Sequence, residues 1–223
     1  MVEFSVIDRL RRLPYFAGAA LSQVQQLAAL ARLRHFVAGD LIFQEGAPSA
    51  GLWIIESGRV KAYKLSPNGD EYILRIFGPG ETFNDLAALD GAPNAANTSA
   101  ISAVSAWVIP AAAFSAALQS DHELALAVIR GLIERQRRLV AQAEDLALRT
   151  VTGRLARFLL LQVSDPALTH PSVTRSLIAN HLATTSESIS RSLRSLESAG
   201  AIRFDRHRIF ITDPEKLHQI AQG

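Results

Sequence analysis

The stretch RSLIANHLATTSESISRSLRSLESAG (175–200), followed by AIRFDRHRIFIT (201–212), decides how the chain is read. Counting from Arg175, small residues stand at the fifth and ninth positions (Ala179 and Ala183), and a branched apolar residue stands at the fifteenth (Ile189). Two helices that cross steeply need this: a small residue at their closest approach, a turn without bulk, and an apolar plug between them. Ile189, Leu193 and Leu196 form the buried stripe of the second helix. Ser186, Glu187, Ser188, Ser190, Arg191 and Arg194 are left on its remaining surface. Thr184 or Thr185 can cap that helix, and Gly200 can end it in the left-handed conformation. The segment Ile202–Ile211 reads as a β-hairpin with Asp205–His207 at its tip, from which Arg206 and Arg208 could reach phosphates. The pattern predicts a helix-turn-helix with a wing. Its short polar N-terminal set suits base edges, with arginine matched to guanine and glutamate to the cytosine amino group. One residue departs from the pattern: Ser192 stands at the eighteenth position, where an apolar side chain is usual.

Working towards the N-terminus, VTGRLARFLLLQVS (151–164) reads as a helix with Leu155, Phe158, Leu159 and Leu161 on a broad apolar face, ended at Ser164-Asp165-Pro166. Residues 111–148 hold no proline and only one glycine, Gly131. Within them Ala125, Ile129, Leu132, Gln136, Leu139, Ala143 and Leu146 are spaced alternately four and three apart, a heptad seam with one polar member. That spacing predicts a helix at which two copies of the chain meet. Residues 34–110 are short apolar runs punctuated by Gly39, Gly46, Gly51, Gly58, Gly69, Gly78, Gly80 and Gly91: HFVAGDLIF, GLWIIES, GRVKAYKL, EYILRIF and TSAISAVSAWVIP. With the Pro67-Asn68-Gly69 turn, they predict a small barrel, roll or sandwich. Leu21, Val24, Leu27, Ala28 and Leu30 have helical spacing and are expected to pack on it. The fold class expected is α+β.

The 223 residues are 48% hydrophobic and 20% charged, with no cysteine. Such a chain can bury a sizeable core. The missing cysteines exclude disulfides, thiolate zinc sites, cysteine-held iron–sulfur clusters and cysteine nucleophiles. No window reaches the ~18–20 apolar residues of a membrane span, and the N-terminal MVEFSVIDRLRRLPYF lacks an export signal's apolar core, so a cytoplasmic protein without a membrane partner is expected. The net charge of +2 is unevenly placed: −1 up to Thr150 and +3 beyond it. A basic C-terminal third is what phosphate neutralisation asks for. Neither G-x-S-x-G nor H-E-x-x-H occurs, and the strands carry no His-x-His pair, so no enzyme activity is expected.

GDLIFQEGAPSAGLWIIESGRVKAYKL (39–65), the glycines Gly39, Gly46 and Gly58, and ESISR (187–191) together resemble the bacterial Crp/Fnr family of transcriptional regulators, and the resemblance spans the chain. It implies a cyclic-nucleotide-binding-like jelly roll (the β-roll, residues 1–120), a dimerisation helix (121–149) and a winged helix-turn-helix (150–223). ESISR matches the E-x-x-S-R signature of the Fnr-like branch. It implies that Glu187, Ser190 and Arg191 read a TTGAT-N4-ATCAA-like palindrome on double-stranded DNA, with Thr174 and Arg175 on phosphates. Position 186 is serine where the catabolite-activator branch has arginine. A homodimer and a contact with RNA polymerase are implied in the same way.

At the sensor end the resemblance weakens. The effector pocket is expected at Gly80, Glu81, Thr82, Phe83, Asn84, Asp85, Asn94, Ala95, Ala96, Asn97 and Thr98, facing the long helix. Asn84-Asp85 replace the family's glycine-glutamate pair, and Asn94-Ala95-Ala96 stand where an arginine beside Ser or Thr would hold a cyclic nucleotide's phosphate. No Lys or Arg occurs between Arg75 and Arg130, and a buried phosphodiester without a cation is costly. Cyclic AMP is therefore disfavoured, although Arg59, Lys61, Lys64 or Arg75 could reach across. Haem stays open, with His35 and His122 as the only histidines before the DNA-binding region. A small metabolite, or no effector at all, stays open too. An effector is expected to act by shifting the long helix or the hinge near Leu148–Thr152.

Overall fold

A computed structural model describes residues 2–16, 18–164, 174–205 and 209–222. Among them the chain forms α1 (Val2–Arg12), a short 3-10 turn (Pro14–Phe16), α2 (Leu21–Leu30), β1 (Arg32–Phe36), β2 (Leu41–Phe43), β3 (Gly51–Ser57), β4 (Val60–Leu65), β5 (Glu71–Phe77), β6 (Thr82–Phe83) and α3 (Asp85–Asp90). There follow β7 (Asn97–Ala100), β8 (Val104–Pro110), α4 (Ala111–Ser120), α5 (His122–Leu148), α6 (Val151–Ser164), α7 (Arg175–His181), α8 (Ser186–Ser198), β9 (Ile202–Phe204), β10 (Ile209–Ile211) and α9 (Pro214–Gln222). Contacts divide the chain into two compact units, 1–63 with 76–137 and 64–75 with 138–223.

The strands make two four-stranded sheets, ordered β1-β8-β3-β6 and β2-β7-β4-β5; β1 with β8, β2 with β7, β3 with β6 and β8, and β4 with β7 all pair antiparallel. The run TSAISAVSAWVIP, read from sequence as one strand, is two. It crosses from one sheet to the other between Ala100 and Val104, so β7 and β8 pair with different partners. In β3, buried along Gly51–Ile55, successive side chains face opposite ways. Trp53 and Ile55 enter the roll with Phe77, Phe83, Val104, Ala106 and Val108. Leu52 and Ile54 enter a second cluster, with Trp107 and Ile109 of β8, beneath side chains of α1, α2, α4 and α5. A strand covered on both faces loses its polar alternation, which is why GLWIIES reads as a nearly continuous apolar run. Gly51 is required by space: a Cβ there would lie 1.9 Å from the Ile109 carbonyl oxygen.

The helices are mostly placed as their spacing implies, with differences at α2 and α6. Val24, Leu27 and Ala28 of α2 are buried, but Leu21 and Leu30 are about half exposed, because the apolar face of this ten-residue helix is narrower than its composition suggests. Residues 111–148 are two helices, broken at Asp121. Its carboxylate accepts from Leu124 N at 3.0 Å and Ala20 N at 3.1 Å, and these bonds hold its pKa below the usual carboxylate value. In α6, Leu155, Phe158 and Leu159 are buried as expected, but Leu161 is 53% exposed, on the far side of the stripe.

In the second unit, α6 packs on α8 and α9, and the end of the β4–β5 hairpin joins them. Tyr72 Oη accepts from Gln142 Nε2 at 3.0 Å, and His181 Nδ1 lies 3.1 Å from the Ile73 carbonyl oxygen, a contact in which the ring nitrogen donates. The His181 ring packs on Phe158, with centroids 5.5 Å apart. Burial pushes its pKa below the ordinary value, outweighing the Ile73 bond. The unfolded chain takes up this proton near pH 6.5 while the folded chain resists it. Stability should therefore be full above that pH and fall as the pH drops towards the folded pKa, at no more than about 1.4 kcal/mol per unit. Urea midpoints at pH 7.5 and 5.5 should differ more for the wild type than for His181→Gln. An equal difference would show that His181 contributes nothing to the acid sensitivity.

Candidate functional site

Thr174 caps α7, its Oγ1 accepting from Leu177 N at 3.2 Å, and Thr185 caps α8, accepting from Ser188 N at 3.1 Å. Between the helices Ala183 has φ +49°, the left-handed region, and is exposed. A side chain there costs ~1–2 kcal/mol, part of which glycine would lose again to unfolded-state entropy. Ala183→Gly should thus stabilise the protein by about 0.5–1 kcal/mol, read as a rise in melting temperature. A lowered melting temperature would contradict the strain.

Ile189, Leu193 and Leu196 are fully buried, and the opposite side of α8 carries the expected polar set. Ser186, Glu187, Arg191 and Arg194 are exposed; Ser188 and Ser190 are half-buried. Arg191 Nη1 meets Glu187 Oε1 at 3.1 Å, and its Nη2 donates to Ser188 Oγ at 3.2 Å. Glu187, Ser188 and Arg191 are thus already grouped on the first turns of α8. Ser190 Oγ donates back to the Ser186 carbonyl at 2.9 Å. Arg175 is tied to the wing: it donates to the Asp205 carbonyl, and its guanidinium lies 5.3 Å from the Phe204 ring centroid. The wing pairs Ile209 with Phe204 and Ile211 with Ile202; Arg206 and Arg208 lie outside the described residues. The departure at Ser192 has an explanation. The side chain is buried, and its Oγ accepts from Thr152 Oγ1 of α6 at 3.0 Å.

The eleven expected pocket residues are distributed over three environments. Phe83 joins the aromatic interior of the roll, stacked on Trp53 at 5.8 Å. Asn84 (φ +61°) adopts the conformation that glycine would supply. Its Nδ2 donates to Ser49 Oγ, Asn94 Oδ1 and the Gly51 carbonyl at 3.0–3.3 Å. Buried Asn94 donates to the Gln44 carbonyl at 3.2 Å, and Asn97 Oδ1 accepts from Glu45 N at 3.1 Å. Gly80 and Glu81 form the preceding turn, with Gly80 N on the Ile55 carbonyl and Glu81 Oε2 accepting from Gly78 N at 2.7 Å. Ala95 is exposed, Ala96 is half-buried and Thr98 is buried in β7.

Thr82 and Asp85 face the long helix, where sequence reasoning missed a residue. Arg135 of α5 forms an ion pair with the buried Asp85 carboxylate. Its Nη2 donates to both the carbonyl and the Oγ1 of Thr82 at 2.8 Å. Tyr15 Oη donates to Asp85 Oδ2 at 2.8 Å, and the guanidinium lies 5.5 Å from the Tyr15 ring centroid. Burial, then the Asp85 charge, push the Tyr15 phenol well above its ordinary pKa. The gap in cations between Arg75 and Arg130 is therefore bridged from beyond it. The sequence did hold a signal: Gly131, one turn before Arg135, is the only glycine of a helix rich in alanine and leucine. A Cβ there would lie 2.0 Å from Tyr15 Cε1.

Along α5, Ile129, Leu139 and Leu146 of the expected seam are 50%, 55% and 38% exposed, and Gln136 and Ala143 are exposed with them. Ala125 is half-buried, and Leu132 packs partly against the core. Ile133 and Val140, absent from the expected seam, are exposed on the same helix. His35 lies near the end of β1 rather than its start, exposed, with Nδ1 2.9 Å from Ser105 Oγ; His122 is exposed at the first position of α5. Among the described residues no three His, Asp or Glu side chains cluster as metal ligands, and no helix is long and apolar enough to cross a membrane.

Residues 33–121 match the cyclic nucleotide-binding domain, and residues 153–220 match the Crp-like helix-turn-helix domain. The chain is 29% identical to a CRP-like cAMP-activated global transcriptional regulator of Mycobacterium tuberculosis, over 96% of this chain and 98% of that one. It is 28% identical to the nitrogen fixation regulation protein FixK of Bradyrhizobium diazoefficiens, over 90% and 86%. Among solved structures it resembles a CRP-family transcriptional regulator of Thermus thermophilus, with a TM-score of 0.68 and 27% identity, over 85% of this chain and 97% of that one.

Proposed function

Because the chain belongs to the Crp/Fnr family of DNA-binding transcriptional regulators, we propose that it acts as a homodimer on a TTGAT-N4-ATCAA-like palindrome, governed by an effector at the β-roll. The observation behind the site choice is the grouping of Glu187, Ser188 and Arg191 on the exposed first turns of α8. Glutamate and arginine there can address a cytosine amino group and a guanine edge, while Thr174, Thr185, Ser186, Ser190, Arg194 and the wing serve nearby backbone or bases. The apolar stripe of α5, with Ile129, Ile133, Leu139 and Val140 each near half exposure, supports a second copy of the chain as its cover. Two recognition helices held about 34 Å apart then meet successive major grooves. RNA polymerase is the expected protein partner once the dimer is on DNA.

The cassette residues, as they stand, do not fit a cyclic nucleotide. Asn94 occupies the place of the family's arginine and is committed to Gln44 and Asn84. Arg135, a cation that reaches the region, is paired with Asp85, whose carboxylate would repel a second anion beside it. Haem fits no better, since His35 and His122 are both exposed and neither enters the aromatic interior. The effector we favour is a small molecule that engages Arg135, Thr82 and Asp85 together.

Fluorescence anisotropy with a labelled TTGAT-N4-ATCAA duplex tests the reading. Wild-type protein should bind it at least tenfold more tightly than a scrambled duplex, with affinity falling steeply as salt rises. Equal binding to both would overturn the site assignment. Sedimentation of free protein at micromolar concentration should give a dimer; a monomer would overturn the seam.

A further inference from the structure

The long helix ends at Leu148 and α6 begins at Val151, so two residues separate the helix that carries the apolar seam from the DNA-binding helices. Polar side chains lace this joint. Asp145, in the last turn of α5, receives Arg149 Nε at 2.8 Å and Arg157 Nε at 3.1 Å. Arg154 donates to the carbonyl of Arg149 at 3.1 Å and to that of Leu182, the residue closing α7, at 3.2 Å. Only one side-chain bond among those described joins α6 to α8, from Thr152 Oγ1 to Ser192 Oγ at 3.0 Å.

Packing alone does not call for a hydroxyl at 192. The side chain is buried beside Leu193 and Leu196, where an alanine would fill almost the same space. A hydroxyl there brings direction: a hydrogen bond restricts rotation of α8 about its axis, whereas an apolar contact tolerates it. The restricted residue is next in sequence to Arg191. A side chain tip lies ~5–6 Å from the helix axis, so a turn of roughly 20° would carry it about 2 Å. That displacement exceeds the tolerance of a hydrogen bond to a base edge.

We infer that the Thr152–Ser192 hydrogen bond sets the spacing specificity of DNA recognition, by fixing the rotation of the recognition helix relative to the long helix. Thr152 and Ser192 are positioning residues that touch no base. The inference rests on the dimeric, palindrome-reading function proposed above and names a pair of residues through which that function is tuned.

The experiment compares wild type, Thr152→Val, the double variant Thr152→Val with Ser192→Ala, and Thr152→Ser, which keeps the hydroxyl. Each is titrated with palindromic duplexes whose half-sites are separated by about three to six base pairs and with a duplex holding one half-site, and its thermal unfolding is recorded. Wild type and Thr152→Ser should share one preferred spacer. The double variant leaves no buried hydroxyl unpaired, so it should melt near wild type and bind the single half-site as wild type does. Its preference among spacers should fall about fivefold. Thr152→Val, which leaves the buried Ser192 hydroxyl without this partner and should melt somewhat below wild type, should show the same loss. Wild-type spacer preference retained in Thr152→Val or the double variant would overturn the inference and leave the proposed function standing. A wild-type protein with no spacer preference would overturn both.

Discussion

Replacing Arg191 with alanine should weaken binding to a TTGAT-N4-ATCAA duplex by about 1–3 kcal/mol for each half-site, and should relax selection at the guanine it addresses. Folding should hardly change. Arg191 and Glu187 are 66% and 78% exposed, and an exposed ion pair of this kind contributes little to stability. The pair instead holds the guanidinium along the first turns of α8, and on the proposed reading DNA would replace this weak partner with a guanine edge. Affinity for a scrambled duplex should fall much less, since it depends on phosphate contacts spread over several residues. Competition binding with single-base variants of one half-site reads the effect. If Arg191→Ala binds the palindrome as tightly and as selectively as wild type, Arg191 does not read that base.

Arg135→Ala should strongly destabilise the β-roll unit. It leaves the carboxylate of Asp85, 5% exposed, with Tyr15 as its remaining described side-chain partner and removes two bonds to Thr82. Breaking a buried pair from one side costs about 3–5 kcal/mol, because the surviving charge is left uncompensated. Arg135→Lys should be intermediate, keeping the charge without the fork onto Thr82. Urea unfolding at pH 7.5 measures both losses. A loss below about 1 kcal/mol for Arg135→Ala would mean that water already reaches the Asp85 carboxylate.

These two arginines mark the division between what the sequence reveals and what it hides. Arg191 lies in a segment where every requirement is local: small residues at a crossing, a cap, a stripe at helical spacing and a polar face opposite. Such requirements leave a trace within twenty-five residues, and the winged motif was legible for that reason. Arg135 works across fifty residues of chain, on groups in β6 and at the start of α3. Nothing near either partner announces the other. The same difficulty hid the crossing from β7 to β8, which depends on the partners those strands find. Leu21, Leu30 and Leu161 show a second limit, since periodicity tells which side of a helix is apolar but not how much of that side a neighbour covers. Ser192 was visible as an exception before its partner Thr152 could be known.

Gly131 gives α5 a mechanical property. The Tyr15 ring occupies the gap left by its missing side chain, held there by a hydrogen bond to Asp85. Sliding the helix by one residue, ~1.5 Å with a turn of about 100°, would bring Arg130 or Leu132 against a ring that admits no Cβ. The notch works as a detent: it blocks travel along the helix axis and leaves tilting or lifting as the free motions. Movement of this part of α5 against the roll would therefore be a swing, with Tyr15 as the fulcrum.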